Sequence, residues 1–196
     1  MIKCKVCGLF RDVDIDSVNQ AKPDYAGFVF AGGRRGVTHE FAQRARQRLG
    51  KEIETVGVFV NAPFEEIEEL VKSGTISVVQ LHGGESEEQV IKVKGLGVTV
   101  IKAVSADGGL PGEIWETQAD FLLLDSGKGG TGKKFDWGLI RGRTKPFFLA
   151  GGVGPEDVKR AQEIGAYGVD ASSSLETNGL KDQEKIKGFV LSCRIS

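Results

Sequence analysis

Phe121-Leu-Leu-Leu-Asp-Ser-Gly-Lys-Gly-Gly-Thr-Gly132 runs from an unbroken apolar segment through a carboxylate into a loop crowded with glycine. Four consecutive apolar residues bounded by Asp and Gly read as a strand buried on both faces, the kind that parallel sheets use. Asp125 then stands at the carboxyl end of that strand, where α/β proteins form their ligand crevice. The glycines after it let backbone N–H groups close around an anion. The stretch reads as an acid beside a phosphate cradle. Gly127-Lys-Gly-Gly-Thr-Gly-Lys133 also fits the opening of a nucleotide-binding loop, but the next position must offer a hydroxyl to Mg²⁺, and Lys134 has none. Phosphate binding without a metal is the reading that remains.

Working outward, further runs of apolar, β-branched or aromatic residues fall at 2–7, 25–30, 55–60, 77–81, 98–104, 146–150 and 167–171. Between them lie helical signals. Phe41, Ala45 and Leu49 share one helical face; Pro63 opens a segment with Ile67, Leu70 and Val71 that closes at Gly74. Ser86-x-x-Gln89 spells a capping box before Val90 and Ile91, with Gly95 as the stop. Pro155 opens a helix carrying Val158, Ala161 and Ile164, and Asp182 caps a last one carrying Ile186, Phe189, Val190 and Cys193. The segments 111–117 and 136–141 are short and weakly helical. Eight strands alternating with helical connections predict a closed (β/α)₈ barrel of the TIM type, near its minimum size, as one domain over residues 1–196. An open doubly wound sheet is the alternative. It calls for a dinucleotide fingerprint after its first strand, and Cys7-Gly-Leu-Phe10 does not supply one.

Lys and Arg number 26 against 27 Asp and Glu, a net charge of −1, so no positive field recommends nucleic acid as a partner. The basic runs Arg34-Arg35 and 141–145 read as solvated loop residues. No apolar run is long enough to span a membrane and the N-terminus lacks the apolar core of a secretory signal, so the expected location is the cytoplasm. Three cysteines make no disulfide framework. Cys4 and Cys7 spell C-x-x-C, yet strand alternation turns Cys4 away from the face shared by Lys3, Lys5 and Cys7, and no second ligand pair stands at zinc spacing. No metal site is expected.

A barrel gathers the carboxyl ends of its strands on one face. That face should hold Cys7, Arg35, Asn61, Gln80, His82, Asp125, Gly151, Gly152, Asp170, Ser172 and Ser173. A thiol at Cys7 and a carboxyl at Asp125 can act as base and acid on opposite sides of one substrate. The glycine pair after strand seven and the serines after strand eight fall where such barrels build a phosphate site.

Taken in order, Lys5-Val-Cys-Gly8, Gly27-Phe-Val-Phe30, Val56-Gly-Val-Phe-Val-Asn61, Val79-Gln-Leu-His-Gly83, Val100-Ile-Lys-Ala103, Leu124-Asp125, Gly129-Gly-Thr-Gly132 with Phe135-Asp-Trp137, Ala150-Gly-Gly152, and Gly168-Val-Asp170 with Ser172-Ser173 resemble the phosphoribosylanthranilate isomerases of tryptophan biosynthesis. The resemblance covers nearly the whole chain. It implies a cofactor-free Amadori rearrangement of a small phosphorylated aldosamine to a ketosamine; whether the chain works as a monomer or homodimer is not written in the sequence. It makes Asp125 the general acid and Cys7 the general base. It sets Arg35 against the anthranilate carboxylate, His82 near the substrate, and Gly129, Gly130, Gly132, Gly151, Gly152, Ser172 and Ser173 around the phosphate.

The chemistry then asks for a Cys7 thiolate, with Lys5 as a source of positive charge, and for an Asp125 kept protonated by burial or by the substrate's own charge. Three departures from the family pattern stand out, one of them a loop after Asp125 that is shorter than many in the family. Gly33-Arg34-Arg35-Gly36 replaces the usual Ser-Pro-Arg, which leaves Arg34 as a second choice for the carboxylate, and Ser174 stands where Gly is common. His82 can act on substrate or cap the strand through its backbone, and Lys5, Lys102 and Asp170 are expected to form an ionic cluster filling the barrel. Asn61 and Gln80 are expected to be supporting groups. A histidine-pathway isomerase would need an aspartate where Cys7 stands, and a non-catalytic phosphate-binding barrel would have no use for both Cys7 and Asp125.

Overall fold

The computed structural model describes residues 1–107, 109–110, 112–127 and 134–195. Strands β1 (Lys3–Cys7), β2 (Tyr25–Val29), β3 (Glu54–Phe59), β4 (Val78–Leu81), β5 (Thr99–Ser105), β6 (Phe121–Asp125), β7 (Phe147–Leu149) and β8 (Gly168–Ala171) pair in parallel, each with its neighbours, and β8 returns to β1 to close the barrel. All eight coincide with the apolar runs of the sequence. Parallel strands need crossovers, and helices α1 (Asp12–Ala21), α2 (His39–Arg48), α3 (Phe64–Lys72), α4 (Glu87–Lys94), α5 (Val158–Glu163) and α6 (Gln183–Ile195) supply most of them. The two weakly helical segments are single 3₁₀ turns, Gly112–Glu116 and Trp137–Leu139. The caps behave as their residue types require: Ser86 Oγ accepts from Gln89 N at 3.3 Å, and Asp182 Oδ1 from Glu184 N at 3.0 Å.

Alternation along the strands sorts side chains into two cores. Inside the barrel sit Cys7, Val56, Val58, Val78, Ile101, Ala103, Leu123, Phe148 and Ala150, floored by Tyr25, Phe121 and Tyr167. Between strands and helices lies the larger core with Cys4, Val6, Phe28, Phe59, Leu122, Leu124, Ile186 and Phe189. Each such fully buried side chain stabilises by roughly 1.5–3 kcal/mol relative to exposure. The C-x-x-C pair is thus split between the two cores. Cys4 Sγ lies 3.4 Å from Asp24 Oδ2, on the opposite side of the sheet from Cys7.

The same alternation corrects one expectation. Lys102 is not in the barrel interior; flanked by the inward Ile101 and Ala103, it points outward and its Nζ donates to Gly83 O and Glu85 Oε2, both at 2.7 Å. The interior pair is Lys5 with Asp170, Nζ to Oδ1 3.0 Å, Lys5 being fully buried. After β8 the chain makes a small hairpin, β9 (Glu176–Thr177) and β10 (Leu180–Lys181), before α6.

Candidate active site

The carboxyl ends of the strands surround a cavity of ≈ 350 Å³ lined by Cys7, Arg34, Arg35, Gln80, His82, Asp125, Gly151, Gly152, Asp170, Ser172 and Ser173, with Val29, Val58, Val60 and Ala150 as its apolar wall. Cys7, Arg35, His82, Asp125, Gly151, Gly152, Ser172 and Ser173 are all site residues expected from the sequence. Gly129, Gly130 and Gly132 lie outside the described residues.

Cys7 ends β1 and Asp125 ends β6, so the barrel carries the thiol and the carboxyl to one opening by strand geometry alone. Burial pushes the Cys7 thiol up, and the neighbouring Lys5 ammonium pulls it back only in part, with Asp170 adding to the rise. The expected help from Lys5 therefore has the right sign and too little strength in the free protein. Asp125 is the mirror case. Burial pushes its carboxyl up, but the His82 hydrogen bond and charge, with the Ser126 amide and hydroxyl, outweigh burial and leave it below the ordinary value. His82 Nε2 is 3.4 Å from Asp125 Oδ2, and Gln80 Nε2 donates to His82 Nδ1 at 2.7 Å. The His82 side chain is accordingly a partner of the acid, while its backbone N–H also extends the strand pairing by donating to Phe59 O at 2.8 Å.

Gly151 adopts φ +80, and a Cβ there would come within 2.7 Å of the Ser126 amide nitrogen, so the turn after β7 can press against the loop after β6 only with glycine. Ser172 Oγ donates to Cys7 O at 3.0 Å and accepts from Lys181 Nζ at 3.3 Å. Its hydroxyl is committed to the scaffold. Ser174, the departure from the family pattern, donates through Oγ to Val153 O at 2.6 Å and ties the loops after β7 and β8 together. Asn61 and Glu85 brace the loops after β3 and β4: Glu85 accepts from Asn61 N at 2.9 Å and Gly83 N at 2.8 Å, and Asn61 Oδ1 from Gly84 N at 2.9 Å.

The Arg34-Arg35 pair is not a solvated run. Both guanidiniums bind Glu176, Arg35 Nε at 2.7 Å and Arg34 Nη2 at 2.7 Å, and Lys181 Nζ joins them at 2.9 Å. Glu176 and Lys181 went unnoticed in the sequence, although Asn178-Gly179 between them is a strong short-range hairpin signal, and both turn residues have φ above zero, at +52 and +79.

The family model for N-(5'-phosphoribosyl)anthranilate isomerase matches residues 4–192. An isomerase of that name from Endomicrobium trichonymphae is 45% identical over 192 residues, 95% of each chain. Among solved structures, the phosphoribosyl anthranilate isomerase of Thermus thermophilus superposes with a TM-score of 0.89 at 30% identity, covering 97% of this chain and 98% of that one. A phosphoribosyl anthranilate isomerase in complex with reduced 1-(o-carboxyphenylamino)-1-deoxyribulose 5-phosphate matches with a TM-score of 0.82 at 32% identity over 99% of each chain.

Proposed function

Because the chain belongs to the N-(5'-phosphoribosyl)anthranilate isomerase family, the aldose–ketose isomerases of tryptophan biosynthesis, we propose that Cys7 and Asp125 divide the two proton transfers of that rearrangement. The observation that carries this division is that thiol and carboxyl line one cavity from two strands, β1 and β6, that β7 and β8 keep apart in the barrel.

Ring opening comes first. Asp125, entering this step as the protonated carboxyl, gives its proton to the furanose ring oxygen while the anilino nitrogen pushes its lone pair toward C1′, and the C1′–O4′ bond breaks to a protonated Schiff base. The positive nitrogen acidifies the neighbouring C2′–H. Cys7, as thiolate, removes that proton, the electron pair forms the C1′–C2′ double bond, and the enolamine tautomerises to the ketone.

In the free protein the two groups hold their protons in the wrong places for this sequence, Cys7 too tightly and Asp125 too loosely. A substrate bearing a phosphate and a carboxylate brings negative charge that raises the Asp125 carboxyl, and the iminium formed on ring opening brings positive charge that favours the thiolate. The substrate thus completes the tuning of its own catalysts.

Arg35 receives the anthranilate carboxylate, since a guanidinium fork matches a carboxylate edge and Arg35 is the more buried of the pair, with a side chain 24% exposed against 50% for Arg34. Backbone amides of Gly151, Gly152, Ser172 and Ser173 receive the phosphate together with residues 129–132. The reaction needs no metal or organic cofactor, and one barrel domain carries all of it. No described helix is long and apolar enough to cross a membrane, which suits a cytoplasmic enzyme. The test is the fall in fluorescence as freshly made phosphoribosylanthranilate is consumed; a loss of about 10²–10⁴-fold in kcat is expected in both Cys7→Ala and Asp125→Asn, and unchanged turnover in either reassigns the roles.

A further inference from the structure

At the mouth of the barrel three cations converge on one carboxylate. Glu176, its side chain 5% exposed, accepts from Arg35 Nε at 2.7 Å and Nη2 at 3.0 Å, from Arg34 Nη2 at 2.7 Å and from Lys181 Nζ at 2.9 Å. Arg35 meets it fork on fork, a geometry that fixes the plane of the guanidinium as well as its position. Arg35 Nη1 has no hydrogen-bond partner among the described residues, so the outer edge of the guanidinium stays open to a second carboxylate. Charge points the same way. One carboxylate against two arginines and a lysine leaves surplus positive charge beside the cavity, which a bound anion would offset.

The chain also makes room for this arginine. Gly8 has φ +75, and a Cβ there would come within 2.6 Å of Arg35 Cδ, so the side chain can cross the end of β1 only over a glycine. Lys181 extends the brace, donating to Ser172 O at 2.9 Å as well as to Glu176. One carboxylate thereby ties the arginine to the loop that begins the phosphate side of the cavity.

We propose that Glu176 is a specificity-determining positioning residue that holds Arg35 with one edge turned to the cavity, so that the enzyme reads the carboxylate on the aromatic amine of its substrate. This rests on the assignment of Arg35 above and adds what keeps that arginine in register. A neutral amide at 176 could serve only one of the two guanidinium hydrogens, and the fork would swing.

The experiment measures kcat and KM of wild type, Glu176→Gln and Glu176→Asp on phosphoribosylanthranilate and on the corresponding aniline aldosamine, which lacks the carboxylate. Wild type should prefer the carboxylated substrate in kcat/KM. Glu176→Gln should lose about tenfold of that preference, through a raised KM for the carboxylated substrate alone. Glu176→Asp, which keeps the charge on Lys181 but draws the fork back from Arg35, should lose part of it. A raised KM or lowered kcat on both substrates alike would make Glu176 merely structural and overturn the inference, as would a lowered KM for the carboxylated substrate or full preference in either variant. Equal kcat/KM of the wild type on the two substrates would bring down the Arg35 assignment and this inference with it, whereas wild-type preference that survives in the variants would bring down this inference alone.

Discussion

His82 Nε2 lies 3.4 Å from Asp125 Oδ2 while Gln80 Nε2 donates to His82 Nδ1 at 2.7 Å, so the ring nitrogen left to carry the proton is the one facing the acid. A three-residue chain of this kind fixes the tautomer of the imidazole and, through it, the proton inventory of the catalytic carboxyl. The Gln80 carbonyl oxygen is buried with no partner among the described residues, and turned over the same amide could accept from an imidazolium.

Removing His82 should therefore raise the Asp125 carboxyl, because burial pushes it up and His82 is the strongest influence holding it down. The limb of the kcat/KM profile that reports loss of the acid's proton should move to higher pH in His82→Ala. An unmoved limb would detach His82 from the acid. Asp125→Asn, which cannot give up a proton, should cost about 10²–10⁴-fold in kcat.

Cys7 is buried and its thiol is pushed above its ordinary value, so alkylation of the free enzyme should accelerate only as the pH climbs past the usual thiol range of about 8–9. Substrate should protect. Cys7→Ala should lose turnover by a factor comparable to Asp125→Asn. Cys4→Ser, on the other side of the sheet, should keep it; comparable losses at both cysteines would mean that the pair acts together.

Lys5 and Asp170 form an ion pair inside the barrel, and Lys5 has no exposed surface at all. Asp170→Asn leaves that ammonium without a counter-charge and should destabilise by about 3–5 kcal/mol in urea unfolding, while the apolar double replacement Lys5→Met/Asp170→Leu should recover most of the loss. Burial pushes the Lys5 ammonium down, but Asp170 and Cys7 outweigh it and hold the group above its ordinary 10.5. The contribution of the Lys5 charge is thus lost as pH rises above 10.5 and through the folded value. A double variant as weak as the single one would show that the empty charge was not the cost.

Most of the strands were legible because they are buried on both faces and so carry short runs of apolar or β-branched residues. Helix α1 was not. Its Asp12-Val-Asp-Ile-Asp16 alternates like a half-buried strand, yet Asp14 serves the helix start, accepting from Phe10 N at 3.1 Å and Arg11 N at 3.0 Å, and Ile15 and Val18 reach the core with Ala21 packed at its edge. The proton-transfer residues could be read from strand ends, a position set by topology. Glu176 could not, since its importance lies in what Arg34, Arg35 and Lys181 do around it, and those residues are brought together by the closure of β8 onto β1.

Acid should report that cluster. Burial pushes the Glu176 carboxyl up, but Arg35, Lys181 and Arg34 pull it down to about 2 from an ordinary 4.5. Its stabilising contribution is then fully present above pH 4.5 and is lost as the pH falls toward 2. Glu176→Gln should melt below wild type at neutral pH and converge with it in strong acid. Parallel melting curves across that window would mean that the carboxylate carries no such coupling.

The phosphate end distinguishes a cradle of backbone amides from a lysine clamp. Gly151 and Gly152 follow β7 with φ +80 and +75, values at which a β-branched side chain is strained and at which the main chain can come close to an oxyanion. Gly152→Val should raise KM for the phosphorylated substrate severalfold or more, with a smaller effect on kcat once substrate is bound. Lys133 follows the glycines of the β6 loop, and Lys134 stands where a nucleotide-binding loop would carry its metal-ligating hydroxyl. Lys134 Nζ is instead paired with Asp157 Oδ1 at 2.6 Å. Lys133→Ala should leave KM nearly where it was. The opposite result, with binding abolished by Lys133→Ala and tolerant of Gly152→Val, would move the phosphate from the amides to the lysine and reopen the nucleotide-loop reading of this segment.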